Sequence, residues 1–358
     1  MPGRVPSSLG PLYWPLEAEA ARKAFEHAND RAREAHALRL QGHLSSDLGA
    51  PSQGRLQVAL ALSRFEEIGD EQGRAQALVV LGEIDYLLGE HARATAVLGD
   101  AQAGCFESGD ELARAQSLIL LAMIQNSVGA CARAVNLLME ARVAFDQIGY
   151  RLGIAQCDTV LGHSDHRARH FDTARSRALT ARTSFRELVN PRGEAACERL
   201  LAMVAIDASD GAEALVHVEL ATAIFSKLQD PWGILEARLL RAQIALLCDD
   251  EGAEALVTAC DEITVDEAEP RQHRHLTRAW LLWKQQRWAE AARELDAGRT
   301  AFGEKARSGD HTPHLLERFA KLRWEAPAQA KLDAWRRMLE AQDRGDSIPP
   351  SSQWPIRR

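Results

Sequence analysis

The sequence predicts an all-α protein, an α-α superhelix of about seven helical hairpins. Offsetting the 358-residue chain against itself by 40 residues brings small and aromatic residues into columns, the mark of a repeat array. Between those columns apolar residues recur at helical spacing, as in Leu78, Leu81, Ile84 and Leu88, then Ala94, Leu98 and Ala101, with Gly89 separating the two runs. Alternating Val/Ile/Thr runs joined by Asn-Gly or Asp-Gly turns, which would announce strands, are missing.

Four columns carry the repeat. Gly42, Gly82, Ala122, Gly162, Ala202 and Ala242 form one; Ala37, Ala77, Ser117, Cys157, Cys197 and Ala237 a second; Ala61, Ala101, Ala141, Ala181 and Ala221 a third. A fourth reads Phe25, Phe65, Cys105, Phe145, Phe185, Phe225, and turns follow it at Gly69-Asp70, Gly109-Asp110, Gly149-Tyr150, Asn190-Pro191 and Asp230-Pro231. Small residues at a fixed place in both helices let two backbones cross closely, and a glycine there costs about 1 kcal/mol of helix propensity.

The elements follow in order. Residues 1 to 15 hold four prolines and are expected to be an irregular leader; Leu16 to Asn29 is expected to be a capping helix, because Phe25 falls in the aromatic column. Full units are placed at about 30 to 68, 70 to 108, 110 to 148, 150 to 188, 191 to 229 and 231 to 266. A seventh, Arg271 to Phe302, has its spacing reduced to about 37, so the array runs from 16 to 305. Residues 306 to 345 are expected to supply C-terminal capping helices, and 346 to 358 a disordered tail. Six of the eight tryptophans (280, 283, 288, 324, 335, 354) lie beyond residue 279, as expected of an end that must shield the last apolar face. A tryptophan-lined pocket is the alternative.

Composition narrows the function. With 43 Lys+Arg against 51 Asp+Glu the net charge is −8, which argues against nucleic acid as a partner. Apolar stretches are far shorter than the roughly 20 residues of a membrane span, and Met1 to Gly10 has neither a basic nor an apolar region of a signal peptide. Cysteines 105, 131, 157, 197, 248 and 260 include no CxxC, as in a reduced, cytoplasmic chain, and Cys105, Cys157 and Cys197 fall in packing columns. The scarcity of lysine among the basic residues points to high-GC bacterial coding.

Catalysis has no visible motif: no Walker loop, dinucleotide fingerprint, nucleophile elbow or HExxH pair is present. His163, Asp165, His166 and His170 form the one cluster with metal-like spacing. His170 falls at a turn, however, and Arg167 and Arg169 would repel a divalent ion, so neither metal nor cofactor is expected. His273 and His275 are expected at the surface, and His311 and His314 in a loop.

Leu81-Gly82, Gly89, Ala94 and Ala101 resemble the Leu-Gly, turn glycine and paired alanines of the tetratricopeptide family. Leu121-Ala122, Gly129, Ala134 and Ala141 repeat the pattern, and Leu161-Gly162, Ala174 and Ala181 repeat it in part. The resemblance covers roughly residues 30 to 305. Its usual unit is 34 residues, so the extra six are expected to lengthen the second helix, as in long-repeat bacterial regulators. The large aromatic of that family late in the first helix is absent, with Ile84, Ile124, Val204 and Ile244 one place earlier. HEAT repeats share the 40-residue period; the Leu-Gly and alanine columns favour the tetratricopeptide reading. By resemblance the first helices line a concave groove formed by His36, Arg39, His43, Gln76, Val79, Glu83, Tyr86, Gln116, Ile119, Met123, Asn126, Gln156, Thr159, His163, His166, Arg199, Met203, Ile206, Glu236, Leu239 and Gln243. The family's carboxylate clamp of lysine and asparagine is missing there. This mixed groove implies a non-catalytic scaffold or adaptor binding a partner peptide or helix. The alternative is a sensor that binds a signalling peptide or small ligand and controls a separate regulator, kinase or ATPase.

Overall fold

A computed structural model describes residues 14 to 301 except 209. The predicted leader, apart from Trp14 and Pro15, and the predicted C-terminal caps and tail lie outside the described residues. Among the described residues every regular element is helical: α1 (Trp14–His27), α2 (Arg31–Asp47), α3 (Pro51–Ile68), α4 (Glu71–Leu87), α5 (His91–Ser108), α6 (Glu111–Ser127), α7 (Cys131–Gln147), α8 (Arg151–Arg167), α9 (Phe171–Glu187), α10 (Pro191–Asp207), α11 (Gly211–Leu228), α12 (Pro231–Leu247), α13 (Ala253–Ala259), α14 (Ala268–Lys284) and α15 (Trp288–Ala301). A 3-10 turn, Cys260–Glu262, extends α13. None of these helices is long and apolar enough to cross a membrane.

The described residues therefore form seven hairpins behind a leading helix; the sixth departs from the rest, its second helix α13 spanning only Ala253–Ala259, and the seventh begins at Ala268. From α2 to α11 the two helices of each unit match to within one residue, so the second helix alone does not account for the 40-residue period. A local rhythm sets these boundaries. The residue next to last in each turn has positive φ, supplied by Gly49, Gly69, Gly89, Gly109, Gly129 and Gly149, and by Asn29, Arg169, Val189 and Gln229 elsewhere. Asp30, Asp70, Asp110, Asn190 and Asp230 then cap the next first helix by accepting a backbone N–H three residues on.

Units join through one repeated contact. Phe65, Phe145, Phe185 and Phe225, all buried, lie against Gly73, Gly153, Gly193 and Gly233 at the start of the following unit, where a Cβ would come within 2.1–2.5 Å of the ring. Where the column holds Cys105 instead, the facing residue is Ala113. At the exposed first joint Arg33 takes the glycine's place, with its guanidinium 5.9 Å from the Phe25 ring centre. Within the first unit, a Cβ on Gly42 would lie 2.3 Å from Val58, and one on Gly54 would lie 2.4 Å from the Gly42 carbonyl oxygen.

Each first helix packs directly on the next one, α2 on α4 through α12 on α14, and the second helices make no comparable run of contacts. First helices thus lie inside the curve. The coil also meets itself: the α2–α3 turn touches the first turns of α10 and α12 and the residue capping α14, through Asp47 with Arg192 and Gly49 against Pro231 and Glu267. These are opposite ends of their helices. The array has therefore risen by one helix length, about 25 Å for 17 residues, in completing a turn.

Cys105→Phe should cost about 1–3 kcal/mol by overpacking against Ala113. Adding Ala113→Gly should recover most of it, whereas Gly153→Ala should destabilise the wild-type chain despite alanine's helix propensity. Urea unfolding of the four proteins measures this.

Candidate functional site

The positions expected to line the concave face number three or four on each of the first helices α2 to α12, and much of their polar chemistry is committed to neighbouring units. Gln76 Nε2 donates to Asp110 Oδ2 at 2.7 Å, and Asn126 Nδ2 donates to Ser164 Oγ at 2.8 Å. His166 Nε2 meets Asp207 at 2.6 Å, and Gln243 Nε2 donates to Thr277 Oγ1 at 3.0 Å. His36 faces Asp70 at 3.8 Å, and His43 faces Glu83 at 3.4 Å. These pairs form a ladder from unit to unit on the inner wall.

Several expected groove residues are core instead. Ile206 and Leu239 are fully buried, Val79 and Ile119 nearly so, and Thr159 turns its hydroxyl to the Ala155 carbonyl. A first helix touches a neighbour on each side as well as its own partner, leaving only a narrow strip for the lumen. Arg39 is half-buried; burial pulls its pKa down and Asp110 opposes the shift.

The strongest electrostatic knot joins α10, α12 and α14. Glu236, 2% exposed, receives Arg199 Nη1 at 3.4 Å and His273 Nδ1 at 2.9 Å. Burial alone would raise the Glu236 carboxyl and lower the His273 imidazole. Their mutual contact outweighs it, holding the carboxyl below and the imidazole above their ordinary values. The Arg199 guanidinium also stacks 4.9 Å from the Trp232 ring centre, and its Nη1 lies 4.0 Å from the Met203 sulfur. The sequence reading missed Trp232 because it has no aromatic counterparts at its register. It also placed His273 and His275 at the surface; both are partly buried, His275 against Glu294 at 2.8 Å.

The candidate metal cluster does not converge. His166 turns across to α10, Asp165 accepts from Arg177 at 2.7 Å, and exposed His170 precedes α9. Among the described residues no group of three ligands could hold a metal ion. Cys157 and Cys197 are buried, and burial pushes both thiols up to about 12.

Among the expected groove positions Gln116, Gln156, Met123 and His163 have no hydrogen-bond partner among the described residues, and neither does Arg39, whose Nε is buried. Met203 lies on α10 against Arg199. His163 is held neutral, well below the ordinary imidazole value, by burial and then by Arg199, His166 and Arg167. The Tyr86 hydroxyl, which burial keeps protonated, also feels the charges of Glu269, Arg167 and Arg199 from helices far along the chain. Tyr86 also stacks on His91 with ring centres 5.6 Å apart.

No family model and no curated protein sequence matches the chain. Solved structures do. The Rap conjugation gene regulator of the plasmid pLS20, in complex with the Phr* peptide, superposes with a TM-score of 0.64 at 14% identity, covering 84% of this chain and 79% of that one. A Rap protein complexed with competence and sporulation factor gives 0.62 at 15% identity, over 82% and 76% of the two chains. The apo form of RapI gives 0.55 at 12%, over 75% and 97%. At such identities the likeness is one of fold, a helical-repeat superhelix.

Two outcomes follow from the paired charges. Glu236→Gln leaves Arg199 and His273 without their buried carboxylate and should cost about 3–5 kcal/mol in urea unfolding. His43 is raised from the ordinary 6.5 to about 9, chiefly by its hydrogen bond to Glu83, so its stabilisation is complete below 6.5 and lost as pH rises through about 9. The melting temperature should therefore fall across that window, and fall less in His43→Gln.

Proposed function

We propose that the chain is a non-catalytic regulatory scaffold of the long-repeat tetratricopeptide type, acting in the bacterial cytoplasm, whose lumen takes an extended peptide. The observation that carries this reading is the strip of Gln116, Gln156, Met123 and His163, which have no partner on an inner wall whose other polar groups are mostly paired, with Met203 on the next first helix. Amides at one register in consecutive units can hold a peptide backbone, and the methionines give adaptable apolar contact beside them. Arg39, Glu83, Tyr86 and Arg199 flank the strip and would set the charge pattern accepted. Two of the solved structures with this fold are complexes with a peptide or a signalling factor, which supports the same class of ligand. Regulation of a separate protein on peptide binding is the sensor form of the same reading.

A phage-displayed library of random heptapeptides, panned on the immobilised full chain, tests it. Recovered peptides should bind saturably by calorimetry, and the Met123→Asp, Met203→Asp double variant should lose at least about tenfold in affinity, since central apolar anchors are each worth more than about 1 kcal/mol. Equal affinity for wild-type and variant would remove the strip as the site.

A further inference from the structure

The contact between the first unit and units five to seven joins residues 145 apart in sequence, Arg192 and Asp47, and closes one turn of the coil on itself. Arg192 Nη1 donates to Asp47 while its Nε lies 3.1 Å from Asp230 Oδ2, so one guanidinium bridges α2 to the residue capping α12. Carboxylates crowd this place. Glu83 also acts on Arg192, and Glu267, 2% exposed, has one oxygen without a hydrogen-bond partner and feels Asp230 and Asp266 as well as Arg192. Against Asp47, Glu83, Asp230 and Glu267 stand only Arg192 and His43 among the groups named at this contact. Removing Arg192 therefore turns attraction across the seam into repulsion.

Backbone packing marks the same place. Gly49 has φ +81°, and a Cβ there would lie 2.8 Å from Pro231 Cγ. The corresponding turn positions later in the array, Arg169 and Asp249, carry side chains at positive φ. Glycine at residue 49 thus lets two coils of the superhelix touch, beyond what the turn itself demands. The ion pair is exposed enough to be screened by salt, whose Debye length is about 8 Å at physiological ionic strength.

We propose that Arg192 is the clasp of a seam closing the superhelix around its lumen, and that parting the seam between the first unit and units five to seven governs peptide access to the concave face. This rests on the lumen being the peptide site. A closed seam leaves only the two ends of the coil for entry; an open one exposes the uncommitted strip from the side.

Small-angle X-ray scattering of the full chain decides the structural half without any ligand. Arg192→Glu should shift the radius of gyration and maximum dimension upward, 1 M NaCl should do the same to the wild type, and Asp47→Arg combined with Arg192→Asp should restore the compact form. Unchanged scattering of Arg192→Glu, with its helical circular dichroism intact, would overturn the clasp. A heptapeptide recovered from the phage library should associate several-fold faster with Arg192→Glu than with the wild type and with the charge-swapped protein. Equal rates in all three, with the scattering shift present, would overturn the control of access. If the library yields no binder, the peptide reading falls, and the scattering result still decides whether the seam closes.

Discussion

Four joints of this superhelix depend on a single steric bargain, a phenylalanine at the end of one unit pressed onto a residue with no side chain at the start of the next. The glycine sits three places after the capping Asp or Asn in three of these joints, and three after Tyr150 at the start of the fourth unit, so the start of the helix and the docking of the unit are fixed by the same few residues. Burying each ring contributes about 1.5–3 kcal/mol, and the close approach it needs sets the angle at which consecutive hairpins meet. Repetition of that angle is what curves the array, brings the first helices inside and carries the first unit round to the fifth.

The inner wall obeys a second constraint. Polar side chains in the lumen lose water, so they are retained where they find one another: His43 with Glu83, Gln76 with Asp110, Asn126 with Ser164, His166 with Asp207, Arg199 and His273 with Glu236. A face that is almost entirely self-satisfied makes its exceptions informative. Apart from Arg39 on α2, those exceptions fall on α6 and α8, near the middle of the described array.

Much of the fold was legible in the sequence because period, turn residues and small-residue columns are local or strictly repeating signals. The helical hairpins and the burial of Cys105, Cys157 and Cys197 follow from them, whereas the shortening expected of the seventh repeat falls in the sixth, between α12 and α14. The column of Gly73, Ala113, Gly153, Gly193 and Gly233 was equally visible, but its meaning needed the phenylalanine it faces. The site was less legible. Register places a residue on the inner side of a helix but does not say how wide that side is, so Ile206 and Leu239 read as groove and prove to be core. Nor does a repeat unit encode which distant unit it will meet, and so neither Trp232 beneath Arg199 nor the meeting of Asp47 with Arg192 has a signature in the period.

Among the joints between the second and sixth units, one differs from the rest. Between α5 and α6 the buried pair is Cys105 with Ala113, a smaller apolar contact than an aromatic ring on glycine, and nearest-neighbour coupling in a linear array is only as strong as the surface each joint buries. Mechanically the protein is a spring with one softer coil, placed just ahead of the helix where the uncommitted strip begins. Bending would concentrate there, so the third unit and those after it can tilt as a block while the first two keep their shape.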